Sequence, residues 1–224
     1  VEPQTETVWR QGTKYGVPRI VFVNKMDAIG ADFDMCVETL HTRLAAHAEA
    51  VQYPIGAESK FRGMIDIIQQ KAWEYQGDKD VPPAEIAIPA EYLEKVKKLR
   101  GTLLEALAAY DDELMMKVLD GEEVSVAEIK AVIRKAVISG KFHPVLCGSA
   151  YKNKGIQPLL DAVVDYLPSP IDIEHAKGHL PDGSIKEVMP DDKLPFAGLA
   201  FKIATDPFIG RLAYVRIYTG TLKS

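Results

Sequence analysis

An uninterrupted apolar run that ends abruptly in polar residues constrains the fold of this chain more than any other feature. Residues 20–23 read Ile-Val-Phe-Val, and residues 24–27 read Asn-Lys-Met-Asp. A short β-branched and aromatic run of this kind is typical of a strand buried in a parallel sheet. In open α/β sheets, ligands bind beyond the carboxyl ends of the strands. The run therefore predicts an α/β fold in which residues 24–27 present polar groups to a ligand.

The chemistry of residues 24–27 fits a purine with two adjacent hydrogen-bond donors. The Asp27 carboxylate can accept from both the N1–H and the 2-amino group of guanine, a pair that adenine lacks. A base without the pair leaves a buried charge unpaired, which costs more than the ~1.5–3 kcal/mol gained from one bond to a charged group. Asn24 suits the purine edge and neighbouring loops, and the methylene stem of Lys25 can lie against the base. The alternative is a helix-entry loop capped by Asn24 or Asp27.

Composition restricts the class of protein and the partners that it can bind. The 224 residues, 47% hydrophobic and 26% charged, predict a soluble globular chain with one good-sized core and part of another. No apolar run has membrane-spanning length, no signal peptide is present, and the first residue is Val, which indicates a segment of a longer product. A net charge of −5 argues against binding of free nucleic acid through a global basic face. Cys36 and Cys147 are expected to be reduced, buried thiols of a cytoplasmic protein.

Two strand–loop–helix units are separated by a long insertion. Residues 1–11 predict a helix before the first strand, and residues 32–44 predict the helix after it. The second unit is a strand over residues 144–147 and a helix over residues 156–167. Because crossover connections are normally short, residues 51–141 are interpreted as an inserted subdomain.

The insertion and the last part of the chain have patterns of their own. Residues 61–68 and 71–75 predict two strands, with a turn at 77–78 and an extended link at 82–83. Three helices follow: residues 113–119 predict the second, which Gly121 ends, and the Ser125–Glu128 capping box and Gly140 bound the third. The first helix starts at Pro89 and has an apolar stripe, Leu93, Val96, Leu99, Leu103, Leu107 and Tyr110. Residues 171–194 predict a linker. Residues 195–224 alternate like strands of a β domain, but they are too few to close a barrel.

Two motifs carry a family resemblance. Residues 24–27 resemble the N-K-x-D guanine-recognition motif of GTPases, and residues 148–150, Gly-Ser-Ala, resemble the S-A motif that flanks the guanine on its other side. In that family the serine hydroxyl braces the aspartate and the alanine backbone N–H points at guanine O6, so the resemblance assigns these roles to Ser149 and Ala150. The alternative for residues 148–150 is a small-residue turn after a strand.

Longer stretches, residues 1–11, 24–32, 148–155 and 160–170, resemble bacterial elongation factor G, a family of ribosome-dependent GTPases that drive translocation of tRNA and mRNA. The resemblance implies an α/β fold: a partial P-loop GTPase-type parallel sheet with an inserted α+β subdomain, followed by the first strands of a β-barrel domain. It assigns residues 1–50 and 142–170 to the GTPase domain, 51–141 to the insert, 171–194 to the linker and 195–224 to the barrel.

The same resemblance implies GTP or GDP as cofactor and the ribosome as partner, with the stalk protein contacted through the insert. It further implies only indirect contact with tRNA and mRNA, a monomer, a cytoplasmic location and no membrane. However, no G-x-x-x-x-G-K followed by Ser or Thr occurs in the chain. The phosphate loop, the Mg²⁺-binding threonine, the D-x-x-G segment and the catalytic histidine all precede residue 1 in the family. Weak or undetectable GTP binding and no hydrolysis are therefore expected of this segment, which holds neither catalytic residues nor Mg²⁺ ligands.

Other functions remain open. The segment is alternatively a non-catalytic module that contacts the ribosomal stalk through an acidic face, Glu105, Asp111, Asp112 and Glu113, or part of a divergent elongation factor G paralogue. That face is alternatively an ordinary solvated helix surface. His175 and His179 have the spacing of helical zinc ligands, but Gly178 and Pro181 predict a linker, so no metal site is expected. The basic run Lys95, Lys97, Lys98 and Arg100 is interpreted as a solvated face rather than an RNA site.

Overall fold

The computed structural model describes residues 1–76, 81–173, 175–180 and 182–223. Its helices are α1 (Pro3–Lys14), α2 (Phe33–Leu44), α3 (Leu93–Ala108), α4 (Asp112–Asp120), α5 (Val126–Ile138) and α6 (Ile156–Tyr166). Its strands are β1 (Val21–Val23), β2 (Ala48–Ala50), β3 (Gln52–Ile55), β4 (Gly63–Asp66), β5 (Lys71–Glu74), β6 (Ala84–Ile86), β7 (His143–Cys147), β8 (Ala176–His179), β9 (Ile185–Val188), β10 (Ala197–Asp206) and β11 (Gly210–Thr219). The chain divides between Leu167 and Pro168 into two compact units.

A parallel sheet with strand order β1-β7-β2 organises the first unit. β1 pairs with β7 from Val21 opposite Val145 to Val23 opposite Cys147, and β2 pairs with the other side of β7. Every residue of the central strand β7 is buried, as expected for a parallel strand covered on both faces. The predicted α/β class is thus confirmed. β2 was not predicted, because its three residues carry no apolar run and it forms only beside β7.

An antiparallel sheet with strand order β3-β4-β5-β6 follows in the same unit. Only Val51 separates β2 from β3, and the Val51 N–H donates to Val145 O at 3.0 Å while its carbonyl accepts from Ile67 N–H at 3.0 Å. The two predicted strands of the insertion are β4 and β5. The unpredicted β3 contains Pro54, which an edge strand tolerates because one row of its N–H groups has no ladder partner. The turn predicted at residues 77–78 lies outside the described residues.

Local signals set the ends of most helices. The Asp32 carboxylate caps α2 by accepting from Met35 N–H at 2.9 Å, and the Ser125–Glu128 capping box opens α5. Gly121 ends α4 in the left-handed conformation, with φ 69°. The apolar stripe predicted along α3 is wrong at Leu93, the first residue of the helix, which follows a 3₁₀ turn over Ala90–Tyr92 and is 50% exposed.

The second unit corrects the predicted linker. Within residues 171–194, β8 and β9 form an antiparallel hairpin in which Ala176 lies opposite Val188. Its turn is stabilised by Asp182, whose carboxylate accepts from Ser184 N–H at 2.8 Å, and by Gly183 at φ 82°. Asp-Gly turns of this kind are a strong hairpin signal, which the linker interpretation overlooked. The predicted strands beyond residue 195 form a longer antiparallel hairpin, β10 and β11.

Two chain-wide features complete the fold. Both cysteines are free thiols; Cys147 is buried as predicted, whereas Cys36 is only half-buried, because α2 leaves part of its side chain accessible. No described helix is long and apolar enough to cross a membrane. Within the same residues, no cluster of His, Cys, Asp or Glu side chains is placed to hold a metal ion. His179 lies in β8, so its spacing from His175 is not helical.

Candidate functional site

The loops that follow β1 and β7 meet at one edge of the parallel sheet. The pairing of Val23 with Cys147 brings the two strand ends side by side. The Gly148 N–H donates to Val23 O at 3.0 Å, and the Met26 N–H donates to Gly148 O at 3.0 Å. The Met26 side chain is 1% exposed and anchors its loop in the core. The structure therefore brings the two predicted motifs together.

Asn24 links the two loops through its side-chain carbonyl. Asn24 Oδ1 accepts from Lys25 N–H at 2.8 Å and from Ala150 N–H at 3.0 Å. Lys25 adopts the left-handed backbone conformation, with φ 61°, at the point where the loop turns. The Ala150 N–H, which the resemblance assigns to guanine O6, thus donates to Asn24 in this structure. A base oxygen at that position would share this donor or replace Asn24 as its acceptor.

The Asp27 carboxylate is held beside the Ser149 hydroxyl. The hydrogen bond from Ser149 lowers the pKa of the Asp27 carboxyl below its usual value, and the positive charges of Lys152 and Lys154 lower it further, against the opposing effect of desolvation. Ser149 itself is 1% exposed, and its backbone is fixed by reciprocal bonds with Lys154 at 2.9 and 3.0 Å. The site therefore presents an ionised, pre-positioned carboxylate, which is the group that a pair of adjacent N–H donors requires.

Two glycines let the second loop close on itself. A Cβ at Gly148 would lie 2.3 Å from Lys154 O, and a Cβ at Gly155 would lie 2.6 Å from Cys147 O. Gly155 also has φ 83°, a left-handed conformation that side chains disfavour. The return of residues 149–155 to the strand end therefore depends on glycine at both positions.

Contacts from the insertion to this site had no signal in the sequence. The Glu58 N–H donates to Met26 O at 2.8 Å, and the Glu58 carboxylate accepts from Gly30 N–H at 2.7 Å. The Tyr75 hydroxyl accepts from Gly155 N–H at 2.9 Å. These partners are far apart in the chain and belong to no recognised motif, so only the folded structure identifies them.

Several other residues singled out by the sequence are already engaged in the fold. The Asp111 carboxylate caps α4 through Leu114 N–H at 3.2 Å and contacts Lys135 at 2.9 Å. In the basic run, Lys95 pairs with Asp34 at 2.8 Å. Arg100 donates to three backbone carbonyls, those of Ile67, Ile68 and Val124. The interpretation of this run as a solvated face is therefore wrong for Arg100, which holds adjacent segments together.

Comparison with known proteins identifies the family. A model of the elongation factor Tu GTP-binding domain matches residues 1–169. The chain belongs to this family of translational GTPases. A solved protein chain from Thermus thermophilus matches with a TM-score of 0.78 and 30% identity, covering 100% of this chain and 30% of that one. The chain thus spans less than a third of the length of the Thermus protein. GTP and GDP are the nucleotides of this family.

Proposed function

We propose that Asn24, Lys25, Asp27, Ser149 and Ala150 recognise the guanine base of GTP and GDP. The observation that carries this proposal is the junction of the two motif loops, where Asn24 Oδ1 accepts from Ala150 N–H at 3.0 Å and Ser149 hydrogen-bonds to Asp27. The Asp27 carboxylate accepts from guanine N1–H and the 2-amino group, and the Lys25 stem covers one face of the base. Adenine offers a lone pair at N1 in place of a donor, so it is rejected.

The base-recognition site belongs, in this proposal, to a ribosome-dependent GTPase of the elongation factor G type that promotes tRNA–mRNA translocation in the cytoplasm. Four stretches of resemblance and the family match over residues 1–169 support it. Residues 1–50 and 142–170 are assigned to the GTPase domain, and residues 51–141 to its insert. This chain contains no phosphate-loop motif, so the proposal assigns to it recognition of the base and not of the phosphates. A divergent paralogue with another role on the ribosome is the alternative.

An NMR titration of the full chain with GMP and AMP tests base recognition. GMP at millimolar concentration is expected to shift the amide signals of residues 24–27 and 149–150, and AMP is expected to leave them unchanged. Asp27→Asn is expected to weaken GMP binding by about tenfold or more, because a bond to a charged group contributes about 1.5–3 kcal/mol. The variant gains affinity for XMP, whose 2-oxo group accepts from the new amide.

Asp161→Asn, on the exposed surface of α6, is the matched control and is expected to bind GMP like the unaltered chain. Equal shifts with AMP and GMP would contradict guanine recognition. Calorimetry with GTP adds a second test, since tight Mg²⁺-dependent binding would contradict the expected weak binding by this chain.

The second proposed function is contact with the ribosomal stalk protein through the insert. Glu105, Asp112 and Glu113 are exposed around the junction of α3 and α4, and α4 also exposes Met116 and Leu119. A pull-down with stalk protein tests this surface. The double variant Glu105→Lys/Asp112→Lys is expected to lose binding, while Glu91→Lys/Glu94→Lys, at the other end of α3, retains it. Equal retention by both variants would leave the acidic face as a solvated surface only.

A further inference from the structure

We propose that the insertion positions both guanine-recognition loops, with Glu58 and Tyr75 as positioning residues, so that guanine affinity depends on the insertion. The inference rests on the proposed function of residues 24–27 and 149–150. Neither Glu58 nor Tyr75 belongs to a motif that contacts the base. Each acts through a backbone group of one of the two loops, and both residues come from the antiparallel sheet region of the insertion.

Glu58 holds the first loop at two points. Its N–H donates to Met26 O at 2.8 Å, within the Asn-Lys-Met-Asp motif, and its carboxylate accepts from Gly30 N–H at 2.7 Å, three residues beyond the motif. The two bonds bracket Asp27 between fixed backbone positions. Glu58 makes these two bonds from the left-handed backbone conformation, with φ 55°, which residues other than glycine rarely adopt. Residue 58 thus keeps an unfavourable backbone conformation in which its carboxylate reaches Gly30.

The turn that carries Glu58 is itself fixed by the insertion. Gly56 has φ 77°, and a Cβ there would lie 2.2 Å from Lys60 O, so the turn closes only around glycine. The Gly56 N–H donates to the hydroxyl of Tyr92 at 3.0 Å, just before α3. A path of direct contacts therefore runs from the start of α3, through the turn at residues 56–60, to the loop that carries Asp27.

Tyr75 holds the second loop in a similar way. Its hydroxyl accepts from Gly155 N–H at 2.9 Å, at the point where the loop from Ser149 enters α6. The neighbouring Lys154 donates from Nζ to Phe61 O at 3.2 Å, a second bond between this loop and the insertion. Lys154 also fixes the backbone of Ser149. A shift of Lys154 away from Phe61 therefore moves the Ser149 hydroxyl, which orients the Asp27 carboxylate.

This arrangement makes the insertion a regulator of guanine binding. Recognition of two base donors by one carboxylate needs side chains held within about 0.5 Å of the productive geometry. A partner that binds the insertion and moves the turn at residues 56–60 or the end of β5 therefore changes the affinity for guanine. By thermodynamic linkage, guanine binding changes the affinity of that partner by the same factor.

The test for Glu58 separates positioning from stability. Glu58→Gly removes the carboxylate but relieves the left-handed backbone, so the variant is expected to fold at least as stably as the unaltered chain. It is nevertheless expected to bind GMP at least fivefold more weakly and to exchange the Gly30 amide hydrogen faster. Glu58→Gln retains an acceptor oxygen and is expected to stay within twofold. Lys60→Ala, in the same turn, is the matched control and should bind GMP normally.

Tyr75→Phe tests the positioning of the second loop, because it removes only the hydroxyl that accepts the hydrogen bond from Gly155 N–H. Weaker GMP binding and a rise of the Asp27 pKa toward its ordinary value, followed by carboxyl NMR, are expected. Tyr110→Phe is the control, since it removes a hydroxyl that donates to Lys141 O at 3.1 Å, outside these loops.

The outcomes distinguish the two proposals. If the unaltered chain shows no shift specific to GMP, the proposed function itself fails, whatever the variants do. If the unaltered chain binds GMP, and folded Glu58→Gly and Tyr75→Phe bind it equally well with an unchanged Asp27 titration, the positioning role is overturned.

Discussion

Burial determines the protonation of His143, a residue outside the candidate site. Its side chain is 4% exposed and meets the Trp9 ring edge-on at 4.7 Å between centroids. Desolvation, together with a smaller effect of the positive charge of Arg19, lowers the pKa of His143 to about 4, against the opposing effect of the hydrogen bond between His143 and Arg19 O. The Arg19 guanidinium itself lies 4.2 Å from the centre of the Trp9 ring. His143 therefore remains neutral in the folded protein throughout the mildly acidic range.

The stability of the chain is expected to decrease between pH 6.5 and pH 4. Over this range the unfolded chain binds a proton at His143, with an ordinary pKa of 6.5, whereas the folded chain does so only near pH 4. Protonation thus favours the unfolded state as the pH falls. The full contribution of neutral His143 to the free energy of unfolding is present above pH 6.5. The difference between the pKa values of His143 in the unfolded and folded chain limits this loss of unfolding free energy to about 3 kcal/mol. Urea denaturation at several pH values measures it.

His143→Gln is expected to flatten this pH dependence, since glutamine does not titrate. His179→Gln, in β8, is the control and should leave the slope unchanged. An equal slope in the unaltered chain and the His143 variant would show that other groups account for the loss of stability.

At the scale of elements, the sequence predicted what depends on nearby residues. The caps Asp32, Ser125 and Gly121 fixed helix ends because a cap acts within one turn of its helix. The candidate site could also be predicted from the sequence, since its residue types and their order carry its chemistry. β2 was missed because three residues show no period, and their pairing with β7 exists only after β7 is placed. The Glu58 contacts were missed for the same reason. A contact of Asn24 with a neighbouring loop was predicted, but its partner, Ala150 N–H, is identified only when the two strand ends lie side by side.

Arg100 shows how one side chain connects several elements. From α3 it donates to Ile67 O at 3.2 Å, to Ile68 O after β4, and to Val124 O at 3.2 Å before α5. All three acceptor residues are buried, so no solvent replaces the guanidinium if it is removed. This residue therefore stabilises the junction of the antiparallel sheet with the helices.

Arg100→Met is expected to lower the free energy of unfolding by about 2–3 kcal/mol, because buried carbonyls are left without a donor. Methionine keeps much of the aliphatic volume, which separates the loss of hydrogen bonds from the loss of packing. Lys98→Met, exposed on the same helix, is expected to change stability by less than about 0.5 kcal/mol. Urea denaturation of both variants provides the measurement, and equal midpoints would contradict the bridging role.

At the scale of the whole molecule, the two units differ in how much apolar surface they bury. The first unit has a continuous core in which Leu103, Ile133 and Phe142 are fully buried. In the second unit the long hairpin of β10 and β11 leaves large side chains accessible, with Phe201 62% and Ile203 73% exposed. A two-stranded hairpin without a covered face is marginally stable in water. The two units are therefore expected to differ in local stability.

Native-state hydrogen exchange measures this difference directly. Amides of β7, at the centre of the parallel sheet, are expected to open only with the first unit as a whole, whereas amides of β10 and β11 open by local fraying. The expected rates differ by about 100-fold or more, since roughly 3 kcal/mol separates local from global opening. The amides of α5, which packs in the same core, serve as an internal control and should exchange as slowly as those of β7. Equally slow exchange in β10 and β11 would contradict this expectation. It would show that contacts other than the backbone hydrogen bonds between the two strands stabilise the hairpin, because those bonds alone protect amides only weakly.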